Sequence, residues 1–142
     1  MRIFIELADL LELERAERWG EARKLLYDLW NGDKGNAKKL CRLIAECWYV
    51  LIEWDCCIQN QRLSYDAFQQ TLVISMQYGL SNCHCDVTFL WMAGYMISLS
   101  PQLFCENGND VACAAWEQRG KHLLQLAVQL EPDNLIARVF YL

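Results

Sequence analysis

The chain reads as all-α, and three observations carry that reading. Apolar residues recur at steps of three and four along nearly its whole length. No stretch of useful length alternates apolar and polar residues at a strand's period of two, and no Asn-Gly turn joins β-branched runs. Both prolines, Pro101 and Pro132, stand where a helical pattern stops. At 142 residues the chain is long enough for a single domain, 1–142, that buries about 70% of its unfolded surface.

Each element has its own signal. Leu7, Leu10, Leu11 and Leu13 open a first helix over about 2–16, with acids on its other face. "RWGEARKLLYDLW" carries a second over 20–31, placing Ala22, Leu25, Leu26 and Leu29 on one side. The Gly, Asn and Asp of "NGDKGN" make Asn31 to Asn36 a loop. A third helix runs from about Ala37 to Gln59, and a fourth, capped by Ser64 or Asp66, extends to about Tyr78. Asp86 caps a fifth over 87–99, which ends at Ser100 because a residue before proline resists the helical conformation. "CENGND" is a loop, and Asp110 caps a long sixth helix over 111–130. Beyond Pro132 a short last helix covers Leu135 to Leu142, started by Asp133 or Asn134. About seven helices result: three antiparallel hairpins and a terminal helix.

Three stretches resemble the tetratricopeptide-repeat family. "WGEA", Trp19 to Ala22, is similar to that family's turn into its second helix, with an aromatic three residues before a small residue. "LWMAGYMI" sets Leu90, Ala93, Gly94 and Ile97 at the spacing of the W-x2-L-G-x2-Y pattern, and "LAVQLEPDNLIA" sets Ala127, Leu130 and Pro132 at the family's Ala, Leu and Pro spacing. Small residues at such places permit close helix crossings. The comparable positions Ala22, Ala67 and Gly120 lie 45 and 53 residues apart rather than a steady 34, so the resemblance implies an irregular, solenoid-like array. It also implies that partners dock on the first helix of each hairpin.

The third helix is the most informative. Leu40, Ile44, Cys47, Leu51, Trp54 and Ile58 form one apolar stripe, and Cys41, Ala45, Trp48 and Ile52 a second beside it. A helix apolar on two sides is wedged between neighbours. Only a narrow strip of Arg42, Glu46, Tyr49 and Glu53 is left over. Together with Glu6, Asp9 and Glu12 on the first helix and Trp91 and Tyr95 on the fifth, this strip is the candidate partner-binding surface. Aromatic rings anchor interfaces and carboxylates accept guanidinium groups bidentately, so the set suits a basic protein. The competing reading of these acids is a solvated helix face.

Charge narrows the classes further. A formal net charge of −5 disfavours a phosphate backbone and favours a basic partner, so no nucleic acid is expected. The uncharged run from Val87 to Cys105 is interrupted by Gly94, several serines and Pro101, which argues against a membrane span. The amino terminus is broken by Glu6, Asp9 and Glu12 and does not read as a secretory signal. A cytoplasmic protein is expected, with its eight cysteines reduced and acting as small hydrophobes.

Chemistry-bearing motifs are sparse. "CHCD", Cys83 to Asp86, is the best zinc candidate, with Cys105 or Cys113 as further ligands, but no Cys-x-x-Cys pair occurs and packed cysteines are the simpler reading. Cys56-Cys57 points two thiols to different helix faces. The two histidines offer no evident catalytic pairing: His84 is only a sequence neighbour of thiols, and His122 lies among glutamines on a polar face. Glu46 and Glu53 are two turns apart, about 10 Å along the axis, too wide for a retaining carboxylate pair. No enzyme, cofactor or metal site is therefore expected. The expectation is a small acidic binding module that inhibits a basic partner by covering its surface, in the manner of an immunity protein neutralising a nuclease-type toxin. The alternative is a tetratricopeptide-like chaperone or adaptor holding a peptide or secreted client in a groove lined by Trp91, Tyr95 and Met96. The oligomeric state stays open.

Overall fold

A computed structural model describes residues 2–56, 63–105 and 109–133, with side chains from residue 8 onward. Among the described residues six α-helices follow one another: α1 (Arg2–Arg15), α2 (Trp19–Asn31), α3 (Ala37–Ile52), α4 (Tyr65–Asn82), α5 (Val87–Leu99) and α6 (Asp110–Leu130). A 3-10 turn, Pro101–Leu103, follows α5, and no strand occurs among the described residues. The expected terminal helix at 135–142 lies outside them. Contacts along the chain gather into two compact units, Met1–Ser75 and Met76–Leu142, with the boundary inside α4.

In the first unit α2 packs against both α1 and α3. Leu10 of α1, Ala22, Leu26 and Trp30 of α2, Leu40, Leu43, Ile44, Cys47 and Val50 of α3, and Phe68 and Leu72 of α4 are buried. Each large aliphatic or aromatic side chain taken fully from water contributes about 1.5–3 kcal/mol. Burial also pushes the Cys47 thiol up to about 12, consistent with its role as a small hydrophobe.

The α1–α2 turn is unusually tight. The Arg18 N–H bonds to the Leu13 carbonyl at 2.9 Å and the Glu17 N–H to the Glu14 carbonyl at 3.0 Å. This six-to-one, five-to-two pairing closes a helix through a left-handed residue. That residue is Glu17, at φ 55°, where glycine is the usual occupant. α2 then begins at once, without a side-chain cap, and Arg18 instead donates to Glu21 at 2.6 Å.

α3 starts at Ala37 as expected, and Asn36, read from the sequence only as the end of a loop, caps it: its Oδ1 accepts from the N–H groups of Lys38 (3.0 Å) and Lys39 (3.2 Å). It stops at Ile52, earlier than the Gln59 that its apolar spacing predicts. After the Glu53 N–H bonds to the Tyr49 carbonyl, the N–H groups of Trp54 and Cys56 turn to carbonyls three residues back. The chain bends because Trp54 packs edge-on against Tyr65 (5.2 Å between centroids) and Phe68 (6.4 Å) on α4. Positions 57–59 lie outside the described residues. The Ser64 hydroxyl oxygen accepts from the Ala67 N–H at the start of α4.

In the second unit α5 and α6 meet backbone to backbone. A Cβ on Gly94 would stand 2.8 Å from the Gly120 carbonyl, and one on Gly120 would stand 2.9 Å from the Ser98 nitrogen and 3.0 Å from the Gly94 carbonyl. The two glycines therefore admit each other, as the small residues at these positions led us to expect. The Phe89 ring occupies the space a side chain on Gly79 would need. Asp86 caps α5 by accepting from the Phe89 N–H at 2.9 Å. Asn109, rather than the expected Asp110, caps α6 by accepting from the Ala112 N–H at 2.7 Å, which leaves Asp110 as a helical anion at the positive end of the dipole. Among the described residues no helix is long and apolar enough to cross a membrane.

Candidate functional site

The tight α1–α2 turn sets Glu14, at the end of α1, and Trp19, at the start of α2, beside the middle of α3. There Glu14, Trp19, Arg42, Ala45, Glu46 and Tyr49 line an open pocket of about 280 Å³. Arg42 sits at its centre. It pairs with Glu14 across 28 residues of sequence and donates to Glu46, one turn along α3, at 3.1 Å. One guanidinium thus serves two carboxylates, and the cluster carries a single uncompensated negative charge when both are ionised. Trp19 and Tyr49 form the apolar wall, with ring centroids 5.6 Å apart and planes tilted by 54°.

The three charged groups differ sharply in access. The Glu46 side chain is 1% exposed, Glu14 21% and Arg42 39%. Burial drives the Glu46 carboxyl up to about 7, reinforced by the charge of Glu14 and opposed by that of Arg42. Near neutral pH, then, the Glu46 carboxyl gains or loses its proton. The accessible groups of the pocket are Glu14, Arg42 and Tyr49, which is 44% exposed.

The sequence-predicted residues are distributed over several places. Glu46 and Tyr49 come together in the pocket, but Glu46 is buried rather than part of an open polar strip, because Glu14 and Trp19 close over it. Glu53 is the C-cap of α3 and is not among the lining residues. Asp9 and Glu12 are exposed and line a second open depression, about 520 Å³, with Leu13, Ala16, Arg18 and Leu25. The Glu6 side chain lies outside the described residues. Trp91 and Tyr95 belong to the second unit and are half-buried. Sequence reasoning missed Glu14 and Trp19 as site residues. The Arg42–Glu46 spacing of four, an intrahelical ion pair, was the legible hint; the third member comes from another helix.

The zinc candidate does not assemble. Cys83 is half-buried and Cys85 exposed, and among the described residues no three His, Cys, Asp or Glu side chains converge as a metal site would require. Cys105 and Cys113, the further ligands considered, face each other instead, with sulfurs 2.8 Å apart. Cys56 is exposed and Cys57 lies outside the described residues. No protein-family model, characterised protein or solved structure matches this chain.

Proposed function

We propose that this chain is a small acidic binding module that inhibits a basic protein by occupying its surface, with a lysine or arginine of the partner entering the Glu14–Arg42–Glu46 pocket. The observation that carries the reading is the pairing of two carboxylates with one guanidinium beside the exposed Tyr49 ring. Carboxylate and ring together attract a cation more than either does alone. The net charge of −5 steers such a partner from a distance. An immunity protein that neutralises a nuclease-type toxin is the concrete form of this proposal, since a nuclease must be basic to hold phosphate.

An acid–base catalyst would also use a carboxyl raised toward neutrality, as Glu46 is. Against that, the Glu46 side chain has almost no open face for a substrate, and Arg42 holds both carboxylates. The chaperone alternative draws less support, because Met96, placed in its groove, is 6% exposed.

The test is co-purification from the native cell at low and high salt, followed by binding titrations of the recovered partner. Glu14→Gln and Tyr49→Ala change the more accessible pocket groups and leave the Glu46 side chain itself in place. Recovery of one basic partner, released by salt and bound at least about tenfold more weakly by either variant, supports the proposal. Partners retained at high salt and indifferent to both variants would sink it.

A further inference from the structure

The second unit contains a pair of thiols that the pocket reading leaves unused. Cys105 follows the 3-10 turn and is buried, while Cys113 lies in the first turns of α6 and is half-buried. Their sulfurs are 2.8 Å apart, about 0.8 Å from a covalent disulfide separation. Neighbouring contacts hold both ends in place. The Phe104 ring stacks on Trp116 of α6, 5.8 Å between centroids, which pins the residue before Cys105 to the helix that carries Cys113. The Cys113 N–H bonds to the Asn109 carbonyl at 3.0 Å, and the Cys105 thiol reaches toward the Gln102 carbonyl at 3.8 Å.

We infer that Cys105 and Cys113 form a redox-active dithiol that closes to an intramolecular disulfide by exchange with a low-molecular-weight disulfide. Cys113, the more accessible sulfur, attacks one sulfur of the external disulfide as a thiolate and expels a thiolate that takes up a proton. Cys105, deprotonated in its turn, attacks the Cys113 sulfur of the mixed disulfide and expels the second external thiolate, which also takes up a proton. Two protein thiols are oxidised and one external disulfide is reduced to two thiols, so atoms and electrons balance. The hydrogen bond with Cys105 pushes the Cys113 thiol up to about 11. Exchange is accordingly slow at neutral pH and accelerates about tenfold per pH unit below that value. Proximity makes the second step intramolecular, which favours ring closure over a lasting mixed disulfide.

The experiment is a titration of the native full chain with oxidised glutathione at mildly alkaline pH, each point held until the disulfide fraction no longer changes, then quenched by alkylation and read by peptide mass spectrometry. The Cys105–Cys113 disulfide should reach half-formation at a concentration on the order of tenfold or more below that which half-modifies exposed Cys85. Cys113→Ser, at a half-buried position, should abolish it with helical circular dichroism unchanged. A stable glutathione adduct on Cys113, or free Cys105 and Cys113 thiols when Cys85 is already modified, would overturn the inference. So would a disulfide that forms only in denaturant.

Discussion

Replacing the buried carboxyl of Glu46 by its isosteric amide tests the electrostatics of the pocket directly. In the folded chain this carboxyl titrates at about 7, against an ordinary 4.5. Below the lower value the group is protonated in both folded and unfolded states and contributes no pH dependence. Between the two values the folded state retains a proton that the unfolded state has lost, so stability falls as pH rises. The difference of roughly 2.5 units corresponds to about 3 kcal/mol, fully expressed above neutrality. The amide that replaces the carboxyl can still accept from Arg42 and donate to Glu14, but it has no charge to desolvate. Glu46→Gln should therefore remove the decline. Urea unfolding of both proteins from about pH 5 to pH 8 checks this, with the variant's midpoint higher by about 1.5 M at the alkaline end. Parallel curves, or a variant less stable at every pH, would show that the Glu46 carboxylate is not penalised in the fold.

Other changes separate local strain, packing and capping. Glu17→Gly should stabilise the chain by about 0.5–1 kcal/mol by relieving the left-handed φ, and Glu17→Val should destabilise it; thermal melts of the pair give the sign. Gly120→Ala should cost about 1–3 kcal/mol despite alanine's better helix propensity, because the backbone atoms of Ser98 and Gly94 cannot move aside independently; an unchanged melting temperature would contradict this. Asn36→Ala should cost about 1 kcal/mol by orphaning the N–H groups of Lys38 and Lys39, while Asn36→Asp should retain most of the stability; chemical denaturation of both variants distinguishes a cap from a generic surface residue.

Most element boundaries were legible in the sequence because local chemistry sets them. Asn36, Ser64 and Asp86 all act at helix starts, where their short polar side chains satisfy N–H groups that the helix leaves unpaired. Ser100 ends α5 ahead of Pro101, as the steric rule requires. Apart from the α6 cap, which falls one residue early at Asn109, the failures were nonlocal. A helical wheel counts Trp54 as part of a continuing stripe and has no means of knowing that Tyr65 and Phe68 offer it edge-on contacts across a bend. It groups Glu46 with Arg42 and Tyr49 but cannot place Glu14 over them, since that contact depends on a left-handed turn at a glutamate. A glycine at position 17 would have announced the turn.

The reciprocal glycines at the α5–α6 crossing have an energetic signature that neither position shows alone. Whichever side chain is introduced first must part the helices, and the gap it opens serves the second as well. The costs of Gly94→Ala and Gly120→Ala should therefore be subadditive, with a double variant less damaged than the sum of its parts. Seen this way, the crossing is a single shared constraint on two codons: substitution at either site alone is penalised, and the penalty shrinks once the other has changed.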